Sequence, residues 1–162
     1  MSRSRRTAGG FTIAELITVC AIIAVLAATT LPVAQFGLRR EKEIELHAKL
    51  RRITDGIDRY HDIMTIPPTS QIRPAEMAAL GSEGYPKELQ DLVKGIKLND
   101  GRTIRILRDR DLVDPITGKK DWMTRSTTDD PDTTSSDGNN IFEVHSTSTA
   151  LTLDGKTRYN EW

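Results

Sequence analysis

The chain predicts an α+β fold: a long N-terminal α-helix, its first half transmembrane, whose second half packs on a small antiparallel sheet with short helices. Three observations carry this. From Phe11 to Leu38 the only charged residue is Glu15. An apolar stripe at helical spacing then runs from Leu46 to Met64, and no helix-breaking signal separates the two between Gln35 and Glu45. Beyond Thr103 the pattern changes to short segments rich in branched residues, bounded by turn signals.

The first segment begins with a leader, residues 1–10, that carries Arg3, Arg5 and Arg6 and no acid. That bias holds an N-terminus on the cytoplasmic side. A glycine pair, Gly9-Gly10, leads into Phe11 at the abrupt edge of the apolar run, which continues from Leu16 to Leu31. At ~1.5 Å per residue, a helix over 11–38 is long enough to cross the ~30 Å of a bilayer's hydrocarbon. Glu15 stands one helical turn inside it. An acid deep in a bilayer costs roughly 2.5–3.5 kcal/mol, so such a residue has a partner or a task.

Two plainer readings compete for this stretch. A secretory signal peptide would use Val25-Leu26-Ala27 as a weak cleavage site, but its apolar core is shorter and uncharged. A simple single-pass anchor accounts for the length and leaves the Gly10-Phe11 edge and Glu15 without a reason.

Gly10, Phe11, Thr12 and Glu15 resemble the cleavage signal of class III signal peptides, found in type IV pilins and in the pseudopilins of type II secretion. Pro32 is a second match to these families. The resemblance implies cutting by prepilin peptidase between Gly10 and Phe11, N-methylation of the new Phe11 amine, and assembly through Phe11 and Glu15.

Residues 39–64 read as an amphipathic continuation of the helix. A charged cluster, Arg39 to Glu45, is followed by Leu46, Leu50, Ile53, Ile57, Tyr60 and Met64 at alternating spacings of four and three. The stripe is too short for a confident coiled coil and is expected to pack on the chain's own C-terminal domain. Gly56 costs ~1 kcal/mol in a helix and marks close packing. Thr65-Ile66-Pro67-Pro68 stops the helix, because proline lacks a donor and disfavours helical geometry before it.

The head spans residues 65–162. Two short helices are expected, 73–80 with Pro74 in its first turn and 86–94 ending at Gly95, with Leu89, Leu92 and Val93 on one face of the second. Strands are expected over Thr103–Leu107, Trp122–Arg125, Ile141–His145 and Ala150–Leu153, the last followed by an Asp154-Gly155 turn. Between them, 126–140 is a polar loop whose only apolar side chain is the ring of Pro131. Its length marks it as functional or mobile.

Tyr85-Pro86, Asp91-Leu92-Val93, Asp114-Pro115-Ile116-Thr117-Gly118, Trp122, Phe142-Glu143-Val144 and Asn160-Glu161-Trp162 resemble successive landmarks of the major, or G-type, pseudopilins. Asp114-Pro115 stands where that family has its Asp-Pro-x-Gly turn, here one residue longer.

Composition excludes several function classes. Acids and bases balance at 23 each, and loss of the leader's three arginines would take the formal charge to −3. No basic patch is interleaved with aromatics, so no nucleic-acid partner is indicated. Cys20 is the only cysteine, which rules out an intrachain disulfide in the head and favours the pseudopilin side, since many type IV pilins close a C-terminal loop with a cysteine pair. His47, His61 and His145 are scattered, and no catalytic, phosphate-binding or dinucleotide motif appears, so a non-enzyme is expected.

The acids Asp129, Asp130, Asp132, Asp137 and Asp154 read either as solvated loop residues or as calcium ligands. The resemblance implies calcium in the loop between the last strands and carries it to Asp154. Ser146-Thr147-Ser148-Thr149-Ala150-Leu151 departs from the family's pattern there and lacks one expected carboxylate.

What the resemblance implies as a whole is a structural subunit of a type II secretion pseudopilus. It would sit single-pass in the inner membrane with its head in the periplasm, then polymerise with itself into a helical filament. Prepilin peptidase, the inner-membrane assembly platform, minor pseudopilins and membrane lipid are its expected partners. A surface type IV pilus subunit and a membrane-anchored binding protein that never polymerises are the alternatives.

Overall fold

The computed structural model describes residues 10–76, 82–130, 133 and 136–162, without the side chains of 29–33. Residues 1–9 of the leader, residues 77–80 of the first short-helix candidate with Gly81 after it, and Asp132 lie outside the described residues, as does the side chain of Pro32. The chain divides into two compact units, Met1–Arg39 and Arg40–Trp162.

The chain is α+β, with a long N-terminal helix and two small antiparallel sheets. Helix α1, Ile13–Met64, ends at the expected place. Thr65 closes it, its N–H and its hydroxyl both reaching the His61 carbonyl at 2.9 and 2.8 Å, and Pro67 follows with no donor to offer.

In the second unit the α1 stripe is the floor of the core. Leu46, Ile53 and Ile57 are fully buried, and Leu50 and Tyr60 pack beside them. Over this floor lie Leu92, Leu107, Leu112, Trp122, Ile141, Val144 and Tyr159. Gly56 is the point of closest approach: a Cβ there would stand 3.3 Å from Leu107 and 3.4 Å from Ile106.

Helix α2, Leu89–Lys94, is shorter than its sequence signal because the Asp91 carboxylate accepts the Glu88 N–H at 3.0 Å and fixes the start there. Gly95 ends it at a φ of 85°. Its face is as expected, with Leu92 buried and Leu89 and Val93 packed on the core.

The first sheet pairs β1, Ile96–Lys97, with β2, Thr103–Ile104. β2 covers only the start of the strand expected over Thr103–Leu107. The reason is local, since the N–H groups of Ile106 and Leu107 both turn to the Leu92 carbonyl, an orphan acceptor in the last turn of α2. The expected helix from Arg73 is also corrected over its described part. Pro74 bridges Leu98, the Ala75 N–H reaches the Lys97 carbonyl at 2.8 Å, and the Asn99 N–H reaches the Arg73 carbonyl at 3.0 Å. This segment extends the hairpin.

The second sheet pairs β3, Trp122–Arg125, with β4, Glu143–Ser146, in the register Trp122↔Ser146 to Arg125↔Glu143. β4 starts two residues later than expected because the Ile141 N–H goes to the Pro86 carbonyl at 2.8 Å. The expected strand over Ala150–Leu153 reduces to one bridge, Leu151↔Arg158. Among the described residues there are therefore two small sheets, where the sequence suggested one.

Candidate processing and assembly segment

Residues 10–12 precede the first turn of α1. Thr12 caps that turn, its hydroxyl oxygen accepting the Glu15 N–H at 3.2 Å while its carbonyl accepts the Leu16 N–H at 3.1 Å. Thr12-Ile13-Ala14-Glu15 is thus a capping-box signature, legible in the sequence and not read there. An acid in the first turn also meets the positive end of the helix dipole, worth ~0.3–1 kcal/mol at an exposed site. That is a local role for Glu15 that needs no second molecule.

Around the cap the chain is open. Phe11 is 82 % exposed, and a Cβ at Gly10 would meet no atom within 4 Å. A peptidase would find the Gly10-Phe11 bond unobstructed by the described residues. From Ile13 onward the exposed apolar side chains include Leu16, Ile17, Val19, Ile22, Val25 and Leu26. At ~100° per residue these point to every side of the helix, the pattern of a segment whose whole circumference lies in an apolar medium. Cys20 is exposed among them.

Among the described residues no helix is long and apolar enough to cross a membrane. The described apolar side chains, from Ile13 to Ala28, amount to about 24 Å of helix at ~1.5 Å per residue. Residues 29–33 lie outside the described side chains.

The head holds the other candidates. Asp129 and Asp137 do not stand free in the polar loop. Asp129 accepts the N–H groups of Ser126 at 2.7 Å and Asp137 at 3.1 Å, and these hold its carboxyl below the usual range, the Ser126 bond most strongly. Asp137 is lowered to about 2, first by the Asn139 N–H and then by the Thr128 hydroxyl. Both carboxylates serve to fold the loop on itself.

Asp154 is turned the same way. Its Oδ1 accepts the Thr152 hydroxyl and the Lys156 N–H, which together hold its carboxyl below the ordinary value. Calcium needs six to eight oxygens converging on it. Among the described residues no group of three or more His, Cys, Asp or Glu could hold a metal, and the one buried side-chain oxygen without a donor is Asn160 Oδ1. Donors already face Asp154 Oδ1, and no two further His, Cys, Asp or Glu among the described residues join it in such a group, so the described residues do not fit calcium.

The histidines serve packing. His47 stacks on Trp162 with ring centroids 3.9 Å apart, and His61 stacks on Tyr85 at 4.3 Å. His145 Nδ1 lies 2.6 Å from the Trp162 carbonyl oxygen. In the sequence all three stand only as scattered residues.

The Asp114 turn is the best-anchored landmark of the head. Asp114 is fully buried; its Oδ1 accepts the Ile116 N–H at 2.7 Å, and its Oδ2 accepts the Ser146 hydroxyl of β4 at 2.6 Å. Gly118, at a φ of 71°, returns its N–H to the Asp114 carbonyl at 2.8 Å. Beside it the Lys49 ammonium of α1 reaches the Val113 carbonyl at 2.6 Å, and Trp122 Nε1–H reaches the Leu112 carbonyl at 2.7 Å. Glu43 is the residue that sequence reasoning missed most plainly, for its Oε1 accepts both the Leu153 N–H at 2.7 Å and the Tyr159 hydroxyl at 2.9 Å.

No family model, curated protein or solved structure matches the chain.

Proposed function

We propose that the chain is a structural, non-catalytic subunit of a type II secretion pseudopilus, anchored single-pass in the inner membrane with its head in the periplasm, and assembled by stacking its apolar N-terminal helix with copies of itself. The observation that supports this reading best is the exposed apolar circumference from Ile13 to Leu26, entered through a capped turn that carries Glu15 and an open Gly10-Phe11 bond. A chain with such a segment must place it in lipid, in protein, or in each in turn. The pseudopilus reading gives it lipid before assembly and neighbouring subunits afterwards. Prepilin peptidase, the inner-membrane assembly platform and minor pseudopilins are the partners this implies.

A bulky side chain at Gly10 tests the reading. Glycine places no side chain beside the bond to be cut and lets the backbone adopt whatever conformation a protease requires. Gly10→Leu is expected to reach the membrane, keep its leader on an immunoblot, and leave no filaments under the electron microscope. Filaments formed by uncut Gly10→Leu protein would contradict the assignment.

A further inference from the structure

The chain from Ala150 to Tyr159 folds back as a tight hairpin. The Thr152 N–H reaches the Thr157 carbonyl at 3.1 Å, the Tyr159 N–H reaches the Ala150 carbonyl at 3.2 Å, and Gly155 turns the tip at a φ of 68°. Leu153 has no place in this ladder for its N–H. That donor goes instead to Glu43 Oε1, 110 residues earlier in the chain, at 2.7 Å. The same oxygen accepts the Tyr159 hydroxyl from the far end of the hairpin at 2.9 Å. One turn further along α1, His47 stacks on Trp162, whose ring Nε1–H lies 3.3 Å from the Thr157 hydroxyl oxygen.

We infer that the Glu43 carboxylate is the lock that fastens the last loop of the head to α1, and that this lock closes the loop without a divalent cation. Its chemistry is the reverse of a cation cage. In a cage, several oxygens turn their lone pairs inward to one positive centre. Here the carboxylates at the loop, Glu43 and Asp154, each receive N–H and O–H donors of the chain itself. Charge-assisted bonds of this kind are the stronger class of hydrogen bond, and a cation at Glu43 Oε1 or Asp154 Oδ1 would have to face the positive ends of those donors. Glu43 is a positioning residue, and its role concerns the head alone, whether or not filaments form.

The test uses the full chain in detergent micelles, with hydrogen exchange read over residues 151–158 and a thermal melt in millimolar calcium or in chelator. Glu43→Ala is expected to speed exchange at the Leu153 amide about tenfold or more, because that N–H loses its acceptor. Glu43→Gln keeps a neutral acceptor oxygen and is expected to speed it by about threefold. The wild-type melt and exchange are expected to be the same in calcium and in chelator. A melting temperature that rises with calcium, as it must when a ligand binds only the native state, would overturn the inference. Unchanged exchange in Glu43→Ala would overturn it equally. Should Glu43→Ala unfold throughout, seen as fast exchange in β3, the comparison of Glu43→Gln with wild type decides, and equal rates there would place the lock elsewhere.

Discussion

Glu15→Val is expected to be inserted, cut after Gly10 and folded in its head, yet to accumulate in the inner membrane with filament yield down roughly tenfold or more, the loss that ~1.4 kcal/mol of assembly free energy produces. Cutting would free a positive amine on Phe11. In a filament core of low dielectric, that amine and a neighbouring subunit's Glu15 neutralise each other, whereas either charge alone is costly to bury. Pairing would therefore draw the next subunit in and penalise a wrong register. The capped first turn supplies the competing account, in which Glu15 only meets the helix dipole and the Thr12 cap. On that account the valine variant loses a few tenths of a kcal/mol of local helix stability and assembles as before. Filament yield equal to wild type, with normal processing, would decide for the local role.

The largest effect on folding is expected at Asp114. Asp114→Ala leaves the buried Ser146 hydroxyl and the Ile116 N–H without their acceptor. Each such orphan costs ~1–3 kcal/mol, and the turn that Asp114 nucleates loosens with them, so a total of about 3–5 kcal/mol is expected. For a unit of this size that corresponds to a melting temperature lower by roughly 10–20 °C. Asp114→Asn keeps one oxygen acceptor and is expected to cost about 1–2 kcal/mol. Thermal melts of the full chain would show this order, wild type above Asn above Ala. Equal melting of wild type and Asp114→Ala would mean that the turn is held by its neighbours Lys49 and Trp122 instead.

Much of this architecture is local and was legible. The α1 stripe is a periodicity and Pro67 removes a donor, so the helix and its end are written in consecutive residues, and the strand expected over Trp122–Arg125 is found with those bounds. Gly56 was legible as a close contact because a glycine inside a helix costs stability without one. β1 is two residues long and too short for a pattern, although Asn99-Asp100-Gly101 was a hairpin signal in plain view. Segment 73–75 carried helix-start residues and was taken instead by the edge of that hairpin, where backbone groups of Lys97 and Asn99 were free to pair. Glu43 was not legible at all. Its acceptor role joins residues 110 positions apart, and in the sequence it is one acid within a charged cluster. At the start of α1 the Thr12 cap was legible as the spacing Thr12-Ile13-Ala14-Glu15.

The most direct test of the account is the intact mass and N-terminal sequence of the mature protein recovered from cells. The account predicts a chain that begins at Phe11 and carries one methyl group on its amine. A chain that begins after Ala27, or one that retains the leader with Arg3, Arg5 and Arg6, would contradict it.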